Sequence, residues 1–225
     1  MAAGAGKKNW FAIWMSVAVV VVLVGAGAVV VWMNNQASAP GPAPDAAIVN
    51  EETGAIAVGD GETVVATYID FMCPICNQFE EIYGETLNEL VADDSITLEY
   101  HPVAILDNVS QGTEYSTRAA NALYCVAESS PEAVTPFVQA MYANQPAEGS
   151  AGLTDEQIIE IAETAGATGV TECIEGGTYE RYVATQTANM PADETGARGT
   201  PTVLVDGERL TLTGDPQIDI VDRLP

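Results

Sequence analysis

The sequence predicts an α/β domain whose strands come from both of its ends and enclose an all-helical block, with one apolar helix in front. Three observations carry this reading. A charge-free run at residues 9–33 is long enough to cross a bilayer. Runs rich in β-branched and aromatic residues at 63–71 and 96–101 are answered, far down the chain, by 202–206 and 208–213. Between these two groups, residues 113–189 show only helical spacing.

The apolar run reads WFAIWMSVAVVVVLVGAGAVVVWM, with Trp10, Trp14 and Trp32 near its ends, where interfacial aromatics gather. Lys7 and Lys8 precede it and are the only lysines, so residues 1–8 are assigned to the cytoplasm and everything beyond the span to the outside. Ala37-Ser38-Ala39 offers a signal-peptidase-like site. An uncleaved anchor over 9–33 is preferred, because a signal peptide's apolar core is only about 7–15 residues long. Residues 34–54 are rich in Pro, Ala and Gly and read as an extended linker. The domain is expected over 55–225, with the helical insertion at about 112–197.

Within the domain, 55–58 is a short strand, Gly59-Asp60-Gly61 a turn, and 63–71 a mostly buried central strand. Phe79, Ile82, Tyr83, Leu87, Leu90 and Val91 then recur at helical spacing, and 96–101 alternates before Pro102. Helices are expected at 113–128, 131–144, 154–165 and 169–189, the second opened by Pro131 and the third capped by Thr154. Asp206-Gly207 joins the last two strands as a hairpin turn, and 216–224 closes the chain as a helix.

Charge excludes some functions. Beyond the span, five arginines face 32 acidic residues, a surface that repels nucleic acid and anionic lipid. The acids are spread along the whole domain, so solvation explains them better than a basic partner.

Cys73 and Cys76, in FMCPICNQFEE, sit where the central strand gives way to a helix. At a helix N-terminus, free N–H groups and the dipole favour a thiolate on Cys73, and Pro74 costs nothing at the first helical position. The dipole supplies roughly one unit of pKa, so any larger shift needs hydrogen bonds to the sulfur. Asp70, Glu80 and Glu81 oppose it weakly, as screened surface charges. A zinc site would need a second close pair of ligands. Cys125 and Cys173 are 48 residues apart and His101 is the only histidine, so no metal is expected. A purely structural disulfide across CPIC would close too small a loop to constrain much. Outside the cytosol all four cysteines can pair, and four allow three connectivities.

The segment IDFMCPICNQFEE (69–81), the embedded helices and Gly199-Thr200-Pro201-Thr202-Val203 before the final hairpin together resemble the DsbA-like branch of the thioredoxin superfamily. The resemblance spans roughly residues 55–225. It implies a thioredoxin fold with a helical insertion, preceded by the transmembrane helix. In it, Cys73-Pro74-Ile75-Cys76 is the redox motif, Cys73 the nucleophile and Cys76 the buried resolving cysteine. Pro201 would be cis, facing the disulfide, and the Thr200 backbone would pair with an extended substrate segment. Cys125 and Cys173, both in the insertion, would form a second, structural disulfide. Where many relatives bury an acid beneath the motif, this chain has Thr67, and its nearest acid is Asp70. His101 is expected to be structural, and Tyr115, Tyr124 and Tyr142 to serve packing.

With the apolar anchor, the resemblance points to a membrane-tethered oxidase for exported cysteine-containing proteins, expected to act as a monomer. It needs no cofactor, and a membrane partner of the DsbB or vitamin-K-epoxide-reductase kind would reoxidise it. An isomerase or reductase of the same fold is the near alternative, though residues 34–54 are too short for a dimerisation region. A non-catalytic holdase is the distant one.

Overall fold

The computed structural model describes residues 10–37 and 40–224, so Lys7, Lys8 and most of the cleavage-site candidate Ala37-Ser38-Ala39 lie outside the described residues. The chain divides into two units, Met1–Pro40 and Gly41–Pro225. The first contains helix α1 (Trp10–Ala37). Its stretch Ile13–Met33 has 21 residues of mean hydropathy 2.6, long and apolar enough to cross a membrane. Trp10, Trp14, Leu23 and Trp32 are all more than 60% exposed within this unit, the pattern of a helix that needs an apolar surrounding.

The second unit is built on a five-stranded sheet. Its strands are β1 (Ile56–Val58), β2 (Thr63–Ile69), β3 (Ile96–Pro102), β4 (Thr202–Val205) and β5 (Glu208–Arg209), in the order β1-β3-β2-β4-β5. β2 and β3 run parallel, joined by helix α2 (Pro74–Ala92), and all other pairs are antiparallel. The central place of β2 follows from its composition: Val65, Thr67 and Ile69 are buried, as a run of β-branched residues requires. Between β3 and β4 the chain forms α3 (Tyr115–Ser129), α4 (Val134–Ala143), α5 (Asp155–Thr164), α6 (Thr171–Glu175) and α7 (Glu180–Asn189). Phe71, two residues beyond β2, packs against Phe137 and Tyr142 of α4, ring centroids 6.3 and 5.3 Å away, so the sheet and the insertion share one core.

Several boundaries differ from the sequence reading, each for a local reason. The central strand stops at Ile69, because the Asp70 side chain caps Met72 N and its carbonyl accepts from Cys73 N, turning the chain. The second hairpin strand, expected to reach 213, ends at Arg209. Thr213 N and Oγ1 instead donate to the buried Asp219 carboxylate, which draws the chain out of the ladder. The closing helix is one α turn, α8 (Pro216–Asp219), followed by a 3-10 turn. The run 169–189 breaks at Gly176-Gly177, where Gly177 has φ +58° and separates α6 from α7. Thr154 caps α5 as expected, in a reciprocal box with Gln157.

The linker expectation for 34–54 needs a correction over residues 41–54. From Gly41 the chain lies within the folded unit. Pro44 and Val49 are buried, Tyr182 Oη donates to Asn50 O and Glu51 O, and Tyr124 Oη donates to Gly54 O. Gly41 passes so near α7 that a Cβ there would lie 2.7 Å from Tyr182 N. Residues 41–54 therefore form a docked strap.

Candidate active site

Cys73 is the N-cap residue of α2 and Pro74 opens the helix, so the fold delivers the strand-to-helix placement that the motif requires. Both cysteines are free and buried, Cys73 at 6% exposure and Cys76 at 0%. The Thr200-Pro201 peptide is cis, and Cys73 Sγ lies 3.3 Å from Thr200 O. Residues separated by more than 120 positions, Cys73, Pro74, Ile75 and Cys76 on one side and Thr200 and Pro201 on the other, thus meet at one end of the sheet. Ile75 remains 54% exposed. Together with Phe79, Ile82, Tyr83, Pro201 and Leu212 it lines a shallow apolar groove of about 130 Å³ beside the motif.

The two sulfurs are electrostatically unlike. Hydrogen bonding from the Cys76 thiol, with further help from Thr200 and the N–H groups of Cys76 and Ile75, draws the Cys73 thiol down to about 6 against the cost of burial. A helix dipole alone gives roughly one unit, so direct hydrogen bonds to the sulfur carry most of the shift. Burial, reinforced by the neighbouring Cys73 sulfur, pushes Cys76 well above the ordinary thiol range. One sulfur is a thiolate at neutral pH and the other keeps its proton.

Asp70 departs from expectation. Read as a screened surface acid, it is instead fully buried. Its Oδ1 accepts from Met72 N (2.9 Å) and Ser116 Oγ (2.6 Å), and its Oδ2 from Leu106 N (3.0 Å). Burial pushes its carboxyl up to about 6 against those donors, and the Cys73 charge adds to the rise. The signal was present in the sequence: an acid between Ile69 and Phe71, in an otherwise apolar run, has to find partners. Glu80 is half-buried and Glu81 exposed. Thr67 is buried and donates to Glu99 O.

Sequence reasoning also missed a polar pair around the motif. Gln145 Nε2 donates to Phe71 O and Cys73 O, both at 3.0 Å, and its Oε1 accepts from Asn77 Nδ2 at 3.2 Å. Tyr142, expected to serve packing, is in the core, and its hydroxyl also donates to Asp70 O. His101 stacks on Tyr68 at 4.2 Å and meets Glu99, away from the cysteines' hydrogen bonds. Cys125 and Cys173 are disulfide-bonded and tie α3 to α6. Among the described residues no three His, Cys, Asp or Glu side chains gather as a metal site.

A dithiol held this way at the end of such a sheet defines a thiol–disulfide oxidoreductase. The sequence model of the thioredoxin family matches residues 51–219. Crystal structures of two Mycobacterium tuberculosis proteins are similar. Reduced DsbA is 35% identical over 71% of this chain and 85% of that one, with a TM-score of 0.63. Reduced DsbG is 34% identical over 76% and 89%, with a TM-score of 0.65. MdbA of Corynebacterium diphtheriae, at 22% identity and TM-score 0.63 over 78% of this chain and 92% of that one, shares the fold. The serine/threonine-protein kinase PknE of M. tuberculosis is 34% identical over 167 residues, 69% of this chain, which spans 29% of that kinase's length. The chain therefore belongs to the thioredoxin family, in its DsbA-like branch.

Proposed function

We propose that the protein is a membrane-anchored, extracytoplasmic oxidase that introduces disulfides into exported proteins. The observation that carries this reading is the asymmetry of the pair: a thiolate-prone Cys73 beside Thr200 and cis-Pro201, over a Cys76 that holds its proton. Stabilising the thiolate of the reduced form makes the corresponding disulfide a stronger oxidant. In the oxidised enzyme, a substrate thiolate attacks Cys73 Sγ, forming a mixed disulfide while Cys76 leaves and takes up a proton. A second substrate thiolate then attacks the substrate sulfur of that bond. The substrate departs as a disulfide and the enzyme as a dithiol, two electrons richer.

In this reading Thr200 and Pro201 align the substrate backbone by strand addition, and the groove beside Ile75 takes an apolar side chain. The DsbA-like relatives and the apolar helix support an anchored arrangement, with residues 1–8 cytoplasmic and the catalytic domain outside. A membrane reoxidase of the DsbB or vitamin-K-epoxide-reductase kind restores the disulfide, and the enzyme works as a monomer.

The test is Cys76→Ala in the native host, where the mixed disulfide on Cys73 is no longer resolved from within. Exported cysteine-containing proteins are expected to accumulate on Cys73, and recovery of none would overturn the reading. The isomerase or reductase alternative is separated by the reduction potential: a value near that of thioredoxin, about −270 mV, would favour it over the oxidase.

A further inference from the structure

Cys73 is held from one side by its own helix and from the other by a residue of the insertion. Gln145 follows the last turn of α4, where its backbone N donates to Tyr142 O. Its half-buried side chain reaches across to the redox turn. The Nε2 hydrogens go to Phe71 O and Cys73 O, and Oε1 receives Asn77 Nδ2, which also donates to Tyr142 O. Only this orientation of the amide works. Reversed, its oxygen would face two carbonyl oxygens and its NH₂ would face that of Asn77.

The two carbonyls that Gln145 holds bracket Met72 and the peptide leading into Cys73. The Cys73 carbonyl is also the first acceptor of α2, taking Cys76 N at 3.1 Å and Asn77 N at 3.3 Å. Its direction fixes the plane of the Cys73-Pro74 peptide, and so the way the first helical N–H groups turn toward the sulfur. We infer that Gln145 is a positioning residue of the redox centre, through which the helical insertion holds the first turn of α2 in the geometry that stabilises a thiolate on Cys73. Asn77 is its partner in this role. The lowered Cys73 titration, to which the N–H groups of Cys76 and Ile75 contribute, agrees with this.

The inference rests on the redox reading of Cys73, and its test is independent of substrate. In the reduced full-length protein in detergent, the rate of Cys73 alkylation by iodoacetamide is followed against pH. Gln145→Ala is expected to raise the titration midpoint by about half to one pH unit, lowering reactivity near pH 6 by up to about fivefold. Asn77→Ala should raise it less, and adding it to Gln145→Ala should change little further, because the two act as one unit. Asn144→Ala removes a side chain bonded only within α4, to Ala140 O, and should leave the midpoint in place.

A midpoint unmoved in Gln145→Ala would overturn the inference, even if thermal stability fell, and so would an equal shift in Asn144→Ala. Should Gln145→Ala not fold, an unmoved midpoint in Asn77→Ala decides against it. Failure of the functional reading looks different: Cys76→Ala then traps no substrate, whatever the midpoint does.

Discussion

The chain holds two cysteine pairs that differ in almost every respect, though one member of each is equally hidden from solvent. Cys73 and Cys76 are separated by two residues and free, whereas Cys125 and Cys173 are 48 apart and bonded. Cys73, at 6% exposure, is nearly as enclosed as Cys125 at 1%. Burial therefore does not mark the reactive cysteine. Surroundings do. Cys73 caps a helix, receives hydrogen bonds and stands two residues before the exposed Ile75, which lines a groove, while Cys125 lies mid-helix among Tyr124, Val126 and Ala127. A short loop gives a bond that constrains the chain little, and a long one gives a bond that restrains the unfolded chain.

The strongest way to break that contrast is to remove each member's advantage. Cys125→Ala with Cys173→Ala should lower the unfolding free energy by about 4 kcal/mol on the loop-entropy relation for 48 residues, with oxidation per folded molecule retained. Chemical denaturation and a thiol-oxidation assay measure the two quantities. A loss of specific activity with stability intact would put the second pair in the redox cycle.

A smaller effect distinguishes the redox states of the first pair. The folded Cys73 titrates at about 6, below its ordinary 9.0, so its contribution to the reduced form is complete above pH 9 and is lost as pH falls through 6. The oxidised form has no such titration. The melting temperature of the reduced protein should therefore rise relative to the oxidised one between pH 6 and 9, and a flat difference there would show that Cys73 is an ordinary thiol.

Much of this was legible in the sequence, and the remainder has a common cause. CPIC at a strand-to-helix junction, GTPTV and the helical block are local patterns, and the family resemblance they carry implied the fold and the meeting of Cys73 with Thr200 and Pro201. The partners of Asp70 were not legible: Leu106 is 36 residues away and Ser116 is 46. Gln145 reaches Cys73 across 72 positions. The docked strap was misread for the same reason, since what makes Gly41 and Glu51 structural is the α7 backbone and the Tyr182 hydroxyl. Local propensity names the elements, and non-local polar contacts decide which residues tune the site.

Asp70 tests how far that tuning depends on charge. Its carboxyl is raised from 3.8 to about 6, so its ionisation costs stability as pH climbs through that window, and acidification relieves the cost. Its charge and that of Cys73 oppose one another, because each raises the other's affinity for a proton. Asp70→Asn removes the charge but offers one acceptor oxygen and two donors where three donors converge, so either Leu106 N or the Met72 and Ser116 pair loses its acceptor. Two effects should separate by pH. Stability falls at every pH through the lost hydrogen bonds, least at the alkaline end of pH 4–6, where wild-type Asp70 has also become charged. The Cys73 midpoint moves down by a few tenths of a unit, because a like charge is gone. Alkylation of Cys73 against pH reads the second effect directly. A midpoint that rises in Asp70→Asn would mean that the carboxylate acts on Cys73 by holding the turn at Met72, outweighing its charge.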